Sequence, residues 1–99
     1  MVEGGFREQA EQAFANLQRA LEAGGSSLRD IIKVTIFVTD MGNFGEVVEM
    51  RRKFFQEPYP ADTIAEVRAL YDPRVMIEIE AIAAVRDRLS GAPASGAER

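Results

Sequence analysis

Two kinds of hydrophobic pattern follow each other in the first part of the chain. Over residues 5–23 apolar side chains recur every three or four positions, with charged and amide side chains on the opposite face. This period predicts an amphipathic helix, and Gly24 and Gly25 favour a stop directly after it. The next apolar run, Ile31 to Val38, is rich in β-branched residues and too short for a typical helix, so it predicts a strand.

The two faces of this strand differ in character. A strand sends alternate side chains to opposite faces. One face is entirely apolar and is expected in the core: Ile32, Val34, Ile36 and Val38. The other face is mixed and could meet solvent or a partner subunit: Ile31, Lys33, Thr35 and Phe37.

The second half of the chain predicts a helix and two more strands. The helix begins near Asn43 and ends before Pro58, because the residue before a proline disfavours helical geometry. A strand follows over Thr63–Leu70, then a turn over Tyr71–Arg74 where proline and aspartate favour a reversal. The last strand, Val75–Val85, carries one face of apolar residues without a polar interruption.

The order of elements is therefore α-β-α-β-β, which predicts an α+β fold with both helices on one side of a small sheet. The last two strands are expected to pair as an antiparallel hairpin, which makes the sheet mixed. Residues 5–86 form one domain in this scheme. Residues 87–99 contain no large apolar residue beyond Leu89 and are expected to be a disordered tail.

Composition restricts the chemistry more than it restricts the fold. The chain has no cysteine and no histidine, which excludes disulfides, zinc sites of the Cys/His kind, thiol nucleophiles and histidine-based triads. Catalysis would have to use carboxylates, Arg or Lys, hydroxyls, backbone amides or bound water. We predict neither a metal nor an organic cofactor.

Charge and hydropathy also exclude classes of partner. Twelve basic residues are scattered among sixteen acidic ones, for a net charge of −4, whereas nucleic-acid surfaces collect Lys and Arg on one face. Nucleic acid is therefore not an expected partner. No apolar run approaches the roughly 20 residues of a membrane span, and no basic-then-apolar signal opens the chain. The expected location is the cytoplasm.

Three motifs together resemble one known family. The run D-I-I-K-V-T-I-F-V-T-D-M over Asp30–Met41, the entry P-A-D-T over Pro60–Thr63 and the strand I-E-I-E-A-I-A over Ile77–Ala83 are similar to the reactive intermediate deaminase family, RidA, also called YjgF or L-PSP. The resemblance implies a fold like that of trimeric chorismate mutase. It also implies a homotrimer whose ligand pockets lie in the clefts between subunits.

The resemblance further implies an activity and a set of site residues. The family hydrolyses reactive enamine and imine intermediates of amino-acid metabolism, and Glu78 matches the residue that holds or activates the hydrolytic water. Asp62 stands where the family normally has an arginine that grips the substrate carboxylate, and Thr63 stands where a Ser or Thr often neighbours it. We expect Phe44 at the substrate pocket as well, although aromatic residues at helical spacing are also typical of a core.

Two interpretations of the candidate residues stay open at this stage. Glu78 and Glu80 are two residues apart in a strand, so they lie on one face roughly 7 Å from each other. They could form a water-activating pair, or they could belong to a solvated or interface surface. Asp62 could select amine ligands or simply form a turn. A carboxylate ligand would then need another base, for which Arg51 and Arg68 are the candidates.

The resemblance also leaves a structural question. Family members usually carry further N-terminal strands that line the pocket, so we expect this sheet to lack strands. Three functions follow: an imine deaminase, a non-catalytic member that binds a small metabolite, and an incomplete domain without a site of its own.

Overall fold

The computed structural model of the chain describes residues 5–85. Its main elements are two α-helices and three β-strands: α1 (Phe6–Ala23), β1 (Ile31–Val38), α2 (Phe44–Phe54), β2 (Ala61–Glu66) and β3 (Ile77–Ala83). The predicted α-β-α-β-β order and the α+β class are confirmed. The predicted tail over residues 87–99 lies outside the described residues.

The sheet is mixed, with strand order β2-β1-β3. β1 runs parallel to β2 and antiparallel to β3. The predicted hairpin between the last two strands is therefore wrong, because β1 lies between them. The crossover through α2 sets β2 parallel to β1, and residues 67–76 then carry the chain to the other edge of β1. The predicted turn is present on the way, where the Val75 N–H donates to the carbonyl of Asp72 at 2.9 Å.

Both outer strands differ from their predicted bounds, because each strand lasts only where β1 offers a partner. β2 begins at Ala61, opposite Lys33, and its pairing ends near the hydrogen bond from Val67 N–H to the Val38 carbonyl. Residues 67–70 extend past the end of β1 and form no strand. β3 is shortened in the same way, since its pairing with β1 covers residues 77–83.

The core lies between the sheet and the two helices, which pack on one face as predicted. Phe14 of α1 is fully buried, and its ring is stacked on that of Phe54, with the two ring centroids 5.2 Å apart. The fully buried side chains that surround it come from all layers: Ala10, Val34, Ile36, Val38 and Val47. The burial of these apolar side chains is the main favourable term in the folding of a small domain.

One predicted core residue is exposed. Ile32 has 60% of its surface accessible, whereas its neighbour Ile31 has only 8%. The pairing of β1 with β3 shifts register between Ile31 and Lys33. Such a bulge changes the direction in which the first side chains of a strand point, so the alternation that holds from Lys33 onward does not extend back to Ile32.

Candidate functional site

The sheet has one face covered by helices and one that is bare of them in the described chain. We call the second the open face. It carries the side chains of Lys33, Thr35 and Phe37 from β1, Thr63 from β2, and Glu78, Glu80 and Ile82 from β3, as the registers require. Thr63, Thr35 and Glu80 form one row across the three strands. Three of the six polar candidates from the sequence therefore lie on this face, namely Thr63, Glu78 and Glu80.

Glu78 lies on the open face opposite Phe37 of β1 and is exposed. Within residues 5–85 its carboxylate makes no ion pair and no hydrogen bond. A carboxylate without a partner can accept hydrogen bonds from a water molecule and take a proton from it. An exposed carboxylate of this kind fits both interpretations of Glu78, the water-activating residue that the resemblance implies and a solvated or interface surface.

Asp62 points the other way, toward the helices. It lies within β2 rather than in a turn, and its register partner is the fully buried Val34. Its Oδ2 atom is 2.5 Å from Nε of Arg51 on α2, in an ion pair whose side chains are 24% and 21% exposed. The two atoms are in ion-pair contact without the alignment of a hydrogen bond. Asp62 is consequently not an isolated negative charge.

Arg51 has a second contact besides this ion pair. Its guanidinium carbon lies 5.3 Å from the centre of the Tyr59 ring, a distance at which the cation is attracted to the ring face. In the described part of the chain its Nη groups make no hydrogen bond. Because Asp62 contacts Nε and Tyr59 lies near the guanidinium carbon, Arg51 keeps its Nη donors for a further anionic group.

The remaining predicted site residues lie apart from the ion pair of Arg51 and Asp62. The Thr63 hydroxyl is on the open face, where it accepts a hydrogen bond from Lys33 Nζ at 3.1 Å. Phe44 begins α2 and is 46% exposed, about 10 Å along the helix axis from Arg51. Arg68 lies beyond the far end of β2, beside Thr39 and Pro73. The described chain therefore has Glu78 and Thr63 on one face of the sheet and Asp62 and Phe44 elsewhere.

The comparison with known families gives a direct result. A family model described as endoribonuclease L-PSP matches residues 1–85. The chain belongs to this family. It is the RidA or YjgF family indicated by the three sequence motifs, so the resemblance is confirmed.

Individual relatives agree with the family model. The chain is 35% identical over 85 residues to a 2-iminobutanoate/2-iminopropanoate deaminase of Dermatophagoides farinae and 42% identical over 84 residues to a protein of the same name from Mus musculus. These alignments cover 86% and 84% of this chain but 66% and 61% of the relatives. The RidA-family chain described here thus spans just under two thirds of the length of those relatives.

Solved structures confirm the fold of this RidA-family chain. The crystal structure of RidA from the bacterium Psychrobacter sp. superposes with a TM-score of 0.81 at 36% identity, covering 86% of this chain and 68% of that one.

Neither α1 nor α2 is long and apolar enough to cross a membrane, and residues 5–85 contain no other α-helix.

Sequence reasoning missed the Arg51–Asp62 pair. Arg51 stands in a run of three basic residues, a pattern that is typical of a solvated helix face. The signal that could have revealed the contact was the crossover itself. A helix between two adjacent parallel strands runs back along the sheet, so the C-terminal half of α2 comes near the first residues of β2.

Proposed function

We propose that this RidA-family chain hydrolyses reactive enamine or imine intermediates of amino-acid metabolism at a cleft between subunits of a homotrimer. The exposed carboxylate of Glu78, without a partner in residues 5–85, is the observation that carries the proposal. The relatives named as deaminases support it, since they match most of the described domain. The activity, the trimer and the substrate all belong to the proposal.

The proposed chemistry needs only water and a base. Glu78 orients a water molecule against the imine carbon and accepts one of its protons as the new C–O bond forms. The carbon–nitrogen bond then breaks, the nitrogen leaves as ammonia after taking up protons, and the carbon becomes the carbonyl of a 2-oxo acid. No electron donor or acceptor is involved, and water is the only co-reactant.

In this proposal Arg51 replaces the arginine that relatives have at position 62. A guanidinium recognises a carboxylate by charge and by its planar pair of N–H donors. Asp62 occupies one side of Arg51 through Nε and leaves the Nη groups to the substrate. Asp62 would then be a positioning residue, with Thr63 and Phe44 lining other parts of the cleft.

A second function has its own support, namely a non-catalytic member that binds a small metabolite. Asp62 neutralises much of the charge of Arg51, and Asp62 and Glu78 lie on opposite faces of the sheet in one protomer. Both observations weaken a site built for carboxylate turnover. The third possibility is a domain without a site of its own.

The decisive test is hydrolysis of 2-iminobutanoate by the purified chain. We expect the wild type to release ammonia faster than buffer, and Glu78→Gln to lose about 100-fold or more in kcat, the usual contribution of a general base. Glu8→Gln on α1 removes an equivalent exposed charge far from the site and should keep the wild-type rate. A wild type that binds 2-oxobutanoate without turnover would favour the metabolite-binding function instead.

The role of Arg51 has a matched control beside it. We expect Arg51→Met to weaken the binding of 2-oxobutanoate by about 10-fold or more, because charged hydrogen bonds are lost. Arg52→Met removes the neighbouring cation, which is exposed, and should change the affinity less than about twofold. Equal losses in the two variants would contradict a specific contact with Arg51.

The intersubunit cleft is tested by the mass of the particle. Light scattering behind a sizing column should give three times the protomer mass of 10.9 kDa. A monomer at all protein concentrations would refute the cleft and support the domain without a site.

A further inference from the structure

The ring of Tyr59 lies against the guanidinium that the proposed function assigns to the substrate. Tyr59 belongs to the segment between α2 and β2, and the guanidinium carbon of Arg51 lies over its ring, 5.3 Å from the ring centre. The Arg51 side chain is 21% exposed, whereas Tyr59 is 41% exposed. The tyrosine thus covers one face of the guanidinium and keeps much of its own surface accessible.

The sequence around Tyr59 restricts the backbone that carries this ring. Tyr59 stands between two prolines, Pro58 and Pro60. A proline fixes its own φ, and it also keeps the residue before it out of the helical region. The next residue, Ala61, begins β2 and pairs with β1 opposite Lys33. The ring is therefore attached to a stiff segment that ends in the sheet.

The ion pair with Asp62 attracts Arg51 without setting the direction of its guanidinium. Oδ2 of Asp62 is 2.5 Å from Nε of Arg51, but the two atoms lack the alignment of a hydrogen bond. The attraction between two charges depends on their distance and not on the orientation of the groups that carry them. A guanidinium held at one atom can still turn about that contact, which moves its Nη groups. A second contact has to fix its plane.

The face of the Tyr59 ring provides that second contact. A cation over an aromatic ring is attracted to its centre, and the flat guanidinium of arginine also stacks on aromatic faces. One contact at the edge, through Nε, and one at the face, through the ring, together leave few rotations open to the group. The Tyr59 hydroxyl makes no hydrogen bond within residues 5–85, so in the described chain the tyrosine acts on Arg51 through its ring.

The contact of Lys53 with Phe54 shows why the plane matters. Lys53 Nζ lies 5.5 Å from the centre of the Phe54 ring and also pairs with Glu11. An ammonium is a compact charge without a plane, so a ring can attract it but cannot orient it. Of the two cations with a ring contact in residues 5–85, only Arg51 has a plane that the ring can set.

We propose that Tyr59 is a positioning residue, whose ring sets the plane of the Arg51 guanidinium so that its Nη groups are presented together to a carboxylate. This role rests on the proposed function, in which Arg51 binds the substrate carboxylate. A planar fork makes two parallel hydrogen bonds to a carboxylate only when the two planes are aligned. Orienting the fork before the ligand arrives removes part of the ordering cost of binding.

The first test needs no ligand. Nitrogen relaxation of the Arg51 Nε–H group reports how far the guanidinium moves, and its signal is assigned by its absence in Arg51→Met. We expect an order parameter of about 0.85 in the wild type and in Tyr59→Phe, and below about 0.6 in Tyr59→Leu. Arg52, which is exposed beside Arg51, should be mobile in all three proteins. Equal order in the wild type and Tyr59→Leu, or a loss in Tyr59→Phe, would overturn the proposal.

The second test is the affinity for 2-oxobutanoate. Tyr59→Leu should bind it about 3-fold to 10-fold more weakly, the cost of ordering one long side chain at the moment of binding, and Tyr59→Phe should bind it like the wild type. Tyr71→Leu, at a 77% exposed tyrosine in the turn before β3, should leave the affinity unchanged. In turnover of 2-iminobutanoate the effect should appear in KM and not in kcat, because the ring acts on binding through Arg51.

The two tests separate the role of Tyr59 from the deaminase activity. Loss of Arg51 order in Tyr59→Leu without loss of affinity would overturn the role of Tyr59 in binding. A wild type that does not bind 2-oxobutanoate would contradict the proposed function, while the ligand-free order parameters would still decide whether Tyr59 fixes Arg51. Unfolding midpoints close to that of the wild type would show that the variants fold.

Discussion

The two faces of the sheet use the same alternating strands for different purposes. Beneath the helices, Val34 and Ile36 of β1 are fully buried, and the polar side chains that reach this side are paired. On the open face, Lys33 bonds only to hydroxyls and Glu78 has no partner within residues 5–85. The first arrangement stabilises the fold, and the second leaves charged groups without an ion-pair partner in the described chain.

Asp62 is the candidate site residue that lies on the covered face. The resemblance implies an arginine at this position, whereas in this chain the aspartate meets Arg51 at 2.5 Å on the helix side. Partly buried charges are tolerated when they are paired. The ion pair with Arg51 therefore explains how an aspartate is accommodated at this partly buried position.

Removing one isoleucine from each face should give the largest contrast. We expect Ile36→Ala, at a fully buried position, to lower the free energy of unfolding by about 2–5 kcal/mol. Ile82→Ala, at a 66% exposed position, should change it by less than about 0.5 kcal/mol. Urea unfolding at several protein concentrations checks both. A large Ile82→Ala effect that grows with concentration would show that the open face is a subunit contact.

The next effect concerns the one buried polar side chain of the described core. Gln9 of α1 donates to the Arg74 carbonyl at 2.7 Å and accepts from the Met76 N–H at 2.9 Å. Gln9→Met leaves both backbone groups without a partner, so we expect a loss of about 1–3 kcal/mol in the free energy of unfolding. Gln12→Met, one turn away and less buried, should cost less than about 0.5 kcal/mol. Equal costs would mean that Gln9 does not hold α1 to this segment.

Breaking the ion pair between Arg51 and Asp62 should have a somewhat smaller effect on the free energy of unfolding. Asp62→Arg places two guanidinium groups together, and we expect it to lower the free energy of unfolding by about 1–2 kcal/mol, because a partly buried charge loses its partner. The exchange Arg51→Asp with Asp62→Arg restores opposite charges and should recover most of that loss, as measured in a double-mutant cycle. Additive effects of the two substitutions would rule out a direct coupling.

Much of the fold follows from local patterns. The helical period of α1 and the β-branched residues of β1 specify their elements without help from the rest of the chain, and their bounds differ little from those predicted. The predicted hairpin failed because strand order is set by distant pairing, in which β1 accepts both β2 and β3. The predicted burial of Ile32 failed for a similar reason, since a bulge depends on the partner strand.

The site was less predictable than the fold. The two-residue alternation of a strand correctly predicted that Glu78 and Glu80 lie on one face. The partners of Asp62 and Lys33 could not be derived in this way, because Arg51 reaches β2 only through the packing of α2, and Thr63 meets Lys33 only through the register of two strands distant in sequence. Contacts between elements determine these charges, and no local pattern encodes them.

The smallest expected effect lies at the rim between the two faces, in the turn that leads to β3. The side chain of Arg74 donates to both carboxylate oxygens of Asp72, at 3.0 and 3.1 Å, and its backbone N–H donates at 2.9 Å. These bonds, chiefly those from the side chain, lower the pKa of Asp72 from 3.8 to about 2. The folded chain thus binds this proton less readily than the unfolded chain.

The sign of the pH effect follows from that difference. The stabilisation from Asp72 is complete above about pH 3.8 and is lost as the pH falls toward about 2. An NMR titration of the Asp72 carboxyl carbon should give a midpoint near 2 in the wild type, and Arg74→Met should move it upward toward 3.8. Arg52→Met, on the helix side, should leave it unchanged. A wild-type midpoint near 3.8 would show that the turn has no lasting contact between Arg74 and Asp72 in solution.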